Sequence, residues 1–127
     1  VKFRESFRPF APSVLAEKAK EYFVLDVDSP YMLLAPKVRP GKEKLVPSIA
    51  HVDNTARVQT VKEEDNEHYY KLIKAFERRT GIPMVLDTSF NIAGEPIVET
   101  PEDAIKCFKS TDIDVLGISK FLVKKKR

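Results

Sequence analysis

Apolar residues along the chain switch between two spacings, and the switches outline helices mixed with strands. Residues 14–23, VLAEKAKEYF, put Leu15, Ala19, Tyr22 and Phe23 near helical spacing and predict a short amphipathic helix. YMLLAPKV, residues 31–38, reads as a strand broken by Pro36. Residues 39–48, RPGKEKLVPS, combine a Pro40–Gly41 turn signal with alternating charge and read as a loop. ARVQTV, residues 56–61, alternates and predicts a half-buried strand.

Residues 65–80 carry the clearest helix. Tyr69, Leu72, Ile73 and Phe76 share one apolar face, Arg78 and Arg79 suit the C-terminal dipole, and Gly81 and Pro83 stop the helix. A strand at 84–88 follows at once. Thr100 as N-cap, Pro101 at the first helical position, and Glu102 and Asp103 in the first turn predict a further helix beginning at TPEDAIKCF. DVLGIS is a last strand, which FLVKKKR extends. This order of elements predicts an α/β fold of the α+β kind, an open mixed sheet with helices packed on it.

A length of 127 residues suits one domain with a real core. There is no apolar run near membrane-spanning length and no signal-peptide pattern, and the lone Cys107 excludes an internal disulfide framework. Together these predict a cytoplasmic, soluble domain. Starting at Val1 without an initiator Met and in mid-motif, the chain reads as a piece excised from a longer protein. The net charge is +3, but four cations form the tail Lys124–Arg127, and without them the net charge is −1. The basicity therefore argues for a flexible charged tail, residues 124–127, and nucleic acid is not expected as a partner.

Four polar groups interrupt the apolar pattern. Lys2 and Arg4 are two apart, so on an extended segment they share a face and form either an anion clamp or a charged strand edge; Arg8 follows nearby. His51 and Asp53 tempt a metal reading, but two ligands do not make a site, and no metal is assigned to this chain. Arg57 opens an otherwise uncharged strand and is either a surface cation or an anion ligand. Ser89 and Asn91 lie just beyond a strand, where they bind phosphate or ribose oxygens or close a turn on their own backbone. The fourth group is acidic. Glu102 and Asp103 are explained by the helix start, and Glu95 orients either a basic residue or a magnesium ion. No serine-hydrolase elbow and no P-loop occurs.

Taken together, KFRESFRPFAPSVL, HVDNTARVQTV, TGIPMVLDTSFNIAGEPIVETPEDAIKCF and DIDVLGIS resemble the C-terminal region of the NodU/CmcH-type O-carbamoyltransferases, in order and over nearly the whole chain. Lys2-x-Arg4 with Ser89-x-Asn91 also resembles the K-x-R and S-x-N signature of YrdC/Sua5-like domains. The resemblance implies a YrdC-like twisted open sheet, truncated at its N-terminus, that makes carbamoyl-adenylate from ATP and carbamoyl phosphate with Mg²⁺. It implies Lys2, Arg4 and Arg57 as catalytic cations, and Lys2, Arg4, Arg8, Arg57, Ser89 and Asn91 as nucleotide and substrate ligands. A separate N-terminal ASKHA-type, Kae1-like domain, bearing the family's Fe²⁺ site, would pass the carbamoyl group to a hydroxyl acceptor.

This chain departs from the family pattern in carrying Asn54 where Gly is usual and Asp87 where Asn is usual. Asn tolerates the left-handed backbone that a Gly would supply. Asp87 puts a negative charge beside an expected anion site. The family's Gly-Pro-Arg-Ala-Leu-Gly block and its acceptor domain are absent from the sequence, so the resemblance implies that the chain does not complete transfer alone. Other readings are a non-catalytic nucleotide- or RNA-binding YrdC-like module, and a piece that is stable only when docked to its partner domain or as a homodimer.

Overall fold

The apolar run near the front of the chain forms the central strand of a sheet. In the computed structural model, which describes residues 8–126, β1 covers Ala11–Leu15. All five of its residues are buried. β1 pairs in parallel with β2, Gln59–Val61, and antiparallel with β3, Met84–Asp87, giving the order β2-β1-β3. Pro12 fits this central strand because the ladder to β2 begins only at Ser13, and because Leu15 N–H donates to Pro83 O at 3.1 Å. That bond turns the odd-numbered amides of β1 toward β3, so the N–H that proline lacks faces a position with no ladder partner.

Helix α1, Ala16–Tyr22, follows β1 without a side-chain cap and buries Ala19 and Tyr22. The helix expected at 14–23 is therefore shorter. Val14 and Leu15 are taken by the sheet, where both faces of β1 are covered, and Phe23 leaves the helix to bridge Val38. The strand expected at 31–38 does not form. Only isolated bridges occur there, Leu34 to Val58 and Lys37 to Thr55, and Met32 adopts a left-handed backbone at φ 55° that a strand cannot contain. Tyr31 and Leu33 are left 79% and 82% exposed. The strand expected at 56–61 contracts to β2, with bridges at Thr55 and Val58 leading into it.

Helix α2, Glu67–Thr80, starts where Asn66 Oδ1 accepts the Tyr69 N–H at 3.0 Å. It ends at Gly81, whose φ of 76° lets its N–H reach Glu77 O at 2.7 Å. Its inner face rests on the odd-numbered side of the sheet: Ile73 is fully buried with Leu15 and Val61, and Tyr69, Tyr70 and Val85 pack around them. Leu72 and Phe76, expected on the same face, are 59% and 41% exposed. A three-stranded sheet is too narrow to cover the whole apolar stripe. The opposite side of the sheet carries the larger core, in which Val14 and Met84 meet Tyr22, Phe23, Val38, Ile49, Ala56 and Val58.

The chain divides after Thr88 into two compact units. The second holds α3, Pro101–Ser110, and an antiparallel hairpin of β4, Val115–Ile118, and β5, Phe121–Lys124. Thr100 and Asp103 form a complete capping box at the start of α3, and Pro101 occupies the first turn. Ala104, Phe108 and Leu116 make this unit's core with Phe90, Val98 and Val123 packed on it. FLVKKKR does not prolong the preceding strand. The backbone turns at Ser119, φ 50°, and the segment folds back as β5. Lys124 thus belongs to a strand and not to a loose tail, and Lys125 Nζ lies 5.4 Å from the Phe108 ring centroid. Among the described residues the architecture is α+β, with a small mixed sheet and three helices. No helix among the described residues is long and apolar enough to cross a membrane.

Candidate functional site

Strand directions gather the polar residues of the first unit at one end of its sheet. β1 and β2 begin at that end and β3 finishes there, with Ala11 opposite Asp87 and Ser13 opposite Gln59. Arg8 lies three residues before β1 and Arg57 two before β2; both are exposed. Arg57 makes no hydrogen bond or ion pair with another described residue. Lys2 and Arg4, the expected clamp, lie outside the described residues.

The backbone around Arg57 is held firmly for so short a strand. Ser29 is buried and spends both of its donors on this segment: Oγ donates to Val58 O at 2.8 Å, and its N–H donates to Thr60 Oγ1 at 2.8 Å. Thr60 N–H returns a bond to Ser29 O at 2.9 Å. On the other side, Ser13, also fully buried, reaches Gln59 Oε1 at 3.4 Å and donates to Asp87 Oδ2 at 2.8 Å. Ser13, Ser29 and Thr60 are the buried polar residues among those described, and all three serve β2. Satisfied polar groups in a core fix register, and a three-residue strand has little else to fix it.

Asp87 finds its explanation in the same network. Its carboxylate accepts from the Ser13 hydroxyl and, at 3.5 Å, from the Tyr69 phenol, so among the described residues hydroxyl donors hold it and no cation pairs with it. Burial pushes the Tyr69 phenol above its ordinary range; the bond to Ser13 opposes this and the Asp87 carboxylate adds to it. Beside the network runs a groove of about 380 Å³, lined by Pro30, Tyr31, Gln59, Thr60, Asn66 and Tyr69. Sequence reasoning missed Ser13, Ser29, Gln59, Thr60 and Tyr69 as polar partners. Small hydroxyls within apolar runs were the available signal, but their partners lie between 18 and 74 residues away.

Ser89 and Asn91 belong to the second unit. Ser89 Oγ donates to Asn91 Oδ1 at 2.7 Å, and Asn91 Nδ2 donates to Glu95 O at 2.8 Å. Both of these bonds fall within the loop 89–95. Gly94, at φ 84°, lets the Glu95 N–H reach Ile92 O at 3.0 Å. Glu95 pairs with Lys106 of α3 at 3.1 Å, which accounts for its carboxylate.

The His51–Asp53 pair sits in a turn. His51 O accepts the Asn54 N–H at 2.9 Å, and Asn54 takes a left-handed φ of 64°, the conformation a glycine supplies. Asp53 Oδ1 accepts from the Thr55 hydroxyl and amide at 2.7 and 3.0 Å, and these bonds hold its carboxyl below the usual range. Among the described residues no group of three or more His, Cys, Asp or Glu side chains is placed to hold a metal ion.

Comparison with known proteins agrees with the motifs. The family described as carbamoyltransferase C-terminus matches residues 1–125. The uncharacterized protein sll1178 of Synechocystis is 49% identical over 98% of this chain and 24% of its own length. Nodulation protein NolNO of Sinorhizobium fredii is 46% identical over 99% of this chain and 19% of its own, and nodulation protein NolO of Bradyrhizobium diazoefficiens is 47% identical over 99% and 24%. The chain thus spans about a quarter or less of these curated relatives.

Proposed function

The chain belongs to the carbamoyltransferase C-terminal family, and on that premise we propose that it forms carbamoyl-adenylate from ATP and carbamoyl phosphate for an O-carbamoyltransferase. The observation that carries the reading is the family match along residues 1–125, which takes in every candidate ligand residue. Arg57 supports it as an exposed cation with no described partner, standing where the sheet also presents Arg8.

The chemistry suits such residues. Water releases carbamate and phosphate from carbamoyl phosphate. A carbamate oxygen then attacks the α-phosphorus of ATP, the bond from that phosphorus to the bridging oxygen breaks, and pyrophosphate leaves. Both reactants are anions, so clustered cations lower the barrier by removing repulsion and fixing alignment. No side-chain nucleophile is required. The family resemblance assigns Lys2, Arg4, Arg8 and Arg57 as the cations, and Ser89 and Asn91 as the hydroxyl and amide candidates. The described residues offer no cage of their own for Mg²⁺, so the ion would arrive with the phosphates of ATP. Transfer to the hydroxyl acceptor, and the Fe²⁺ site, would belong to a Kae1-like domain in the remaining three quarters of a full-length protein, working in the cytoplasm.

Calorimetry with a non-hydrolysable ATP analogue tests the nucleotide reading. Arg57→Ala is expected to weaken binding about tenfold or more, with Arg4→Ala and Asn91→Ala weakening it as well. Equal binding by wild type and all three variants would falsify it. The full-length protein should also exchange pyrophosphate into ATP only when carbamoyl phosphate is present. Binding without exchange would instead favour a non-catalytic nucleotide module.

A further inference from the structure

Arg57 presents a long, flexible side chain, and its usefulness to an anion depends on how well its backbone is held. β2 has three residues, too few for a ladder alone to set its register. Two hydroxyl arms make up for this. The outer arm is Ser29, which holds Val58 O, directly after Arg57, and Thr60 Oγ1. The inner arm is Ser13 on β1, whose hydroxyl donates to Asp87 on β3 at 2.8 Å and lies 3.4 Å from Gln59 Oε1 on β2. Neither arm touches the guanidinium.

We infer that Ser29 and the Asp87–Ser13 pair are positioning residues for Arg57, clamping the start of β2 from both sides so that the guanidinium meets an anionic ligand from a fixed backbone. The inference rests on the nucleotide-binding reading above. Burial supports it. Ser13 and Ser29 are 0% and 3% exposed, and a core hydroxyl that only filled space would be replaced by a methyl group at no loss. The bonds also account for a carboxylate at this end of the sheet. Asp87 faces the two hydroxyls of Ser13 and Tyr69, so among the described residues it braces the clamp through hydroxyl donors alone.

The test is a pair of double-mutant cycles in the full-length protein, read by calorimetry with the non-hydrolysable ATP analogue. Ser29→Ala and Asp87→Ala are each expected to weaken binding about three- to tenfold, and to weaken it no further once Arg57 is alanine. Asp87→Asn, which still accepts from Ser13, restores the affinity. Amide exchange at Val58 and Gln59 should quicken in both alanine variants. Should Ser29→Ala fail to fold, the cycle through the half-exposed Asp87 carries the test alone. Losses that add fully to that of Arg57→Ala, or unchanged affinity in Asp87→Ala, overturn the clamp while leaving nucleotide binding intact. A wild-type protein that binds no analogue overturns both.

Discussion

Ile73 and Leu72 are neighbours on α2 with opposite surroundings, and replacing each by alanine tests which face of the helix holds the sheet. Ile73 is fully buried against Leu15 and Val61, whereas Leu72 is 59% exposed. Truncating a buried isoleucine removes its transfer free energy and leaves a cavity that rigid strands cannot close, a cost of about 2–5 kcal/mol. Truncating a mostly exposed leucine costs roughly 0.5 kcal/mol. For a unit of this size each kcal/mol moves the melting midpoint by about 4–8 °C, so Ile73→Ala should lower it by roughly 8–40 °C and Leu72→Ala by only about 2–4 °C. Urea unfolding followed by circular dichroism checks this, with the slope unchanged and the midpoint shifted. Equal losses, or a larger one for Leu72→Ala, would show that α2 turns a different face to the sheet and refute the packing.

Two further outcomes concern helix starts. Asn66→Ala removes the acceptor for the Tyr69 N–H and should cost about 1 kcal/mol in the same urea experiment, while Asn66→Asp should cost little; an alanine variant as stable as wild type would dismiss the cap. In the second unit, the Thr100 hydroxyl and then its amide hold the Asp103 carboxyl below its ordinary value of 3.8. A depressed folded value means that this stabilisation is present above the ordinary value and fades as pH falls below it and through the folded one. Thr100→Val should therefore flatten the acid limb of stability, and an unchanged limb would remove the capping box from the account.

Helices announced themselves better than strands. Thr100-Pro101-Glu102-Asp103 and Arg78-Arg79-Thr80-Gly81 carry their boundaries in local chemistry, so α3 starts and α2 ends where the residues say. β1 carries no such mark. Its five residues are buried on both faces, which erases alternation, and Pro12 argues against a strand until the partner ladder is known to start one residue later. YMLLAPKV misleads for the opposite reason, since its apolar residues stay largely exposed and its backbone turns at Met32. The site divides in the same way. Arg57 was legible as a charge opening an uncharged strand. Asp87 was not, because what explains it is a serine 74 residues upstream and a phenol on a helix.

The position of β1 in the sheet sets a timetable for synthesis. Both of its partners lie downstream, and β3 begins at Met84, about 70 residues after β1 ends at Leu15. At ribosomal rates of about 5–20 residues per second, this apolar strand leaves the ribosome roughly 3–14 s ahead of the segment that completes its pairing. Until Gln59–Val61 emerges Ala11–Leu15 has no strand partner, and until Met84–Asp87 follows one of its edges stays open. Nascent chains stalled before Met84 should therefore be the form most dependent on chaperones, and a chain cut within α2 should aggregate where one reaching Thr88 does not.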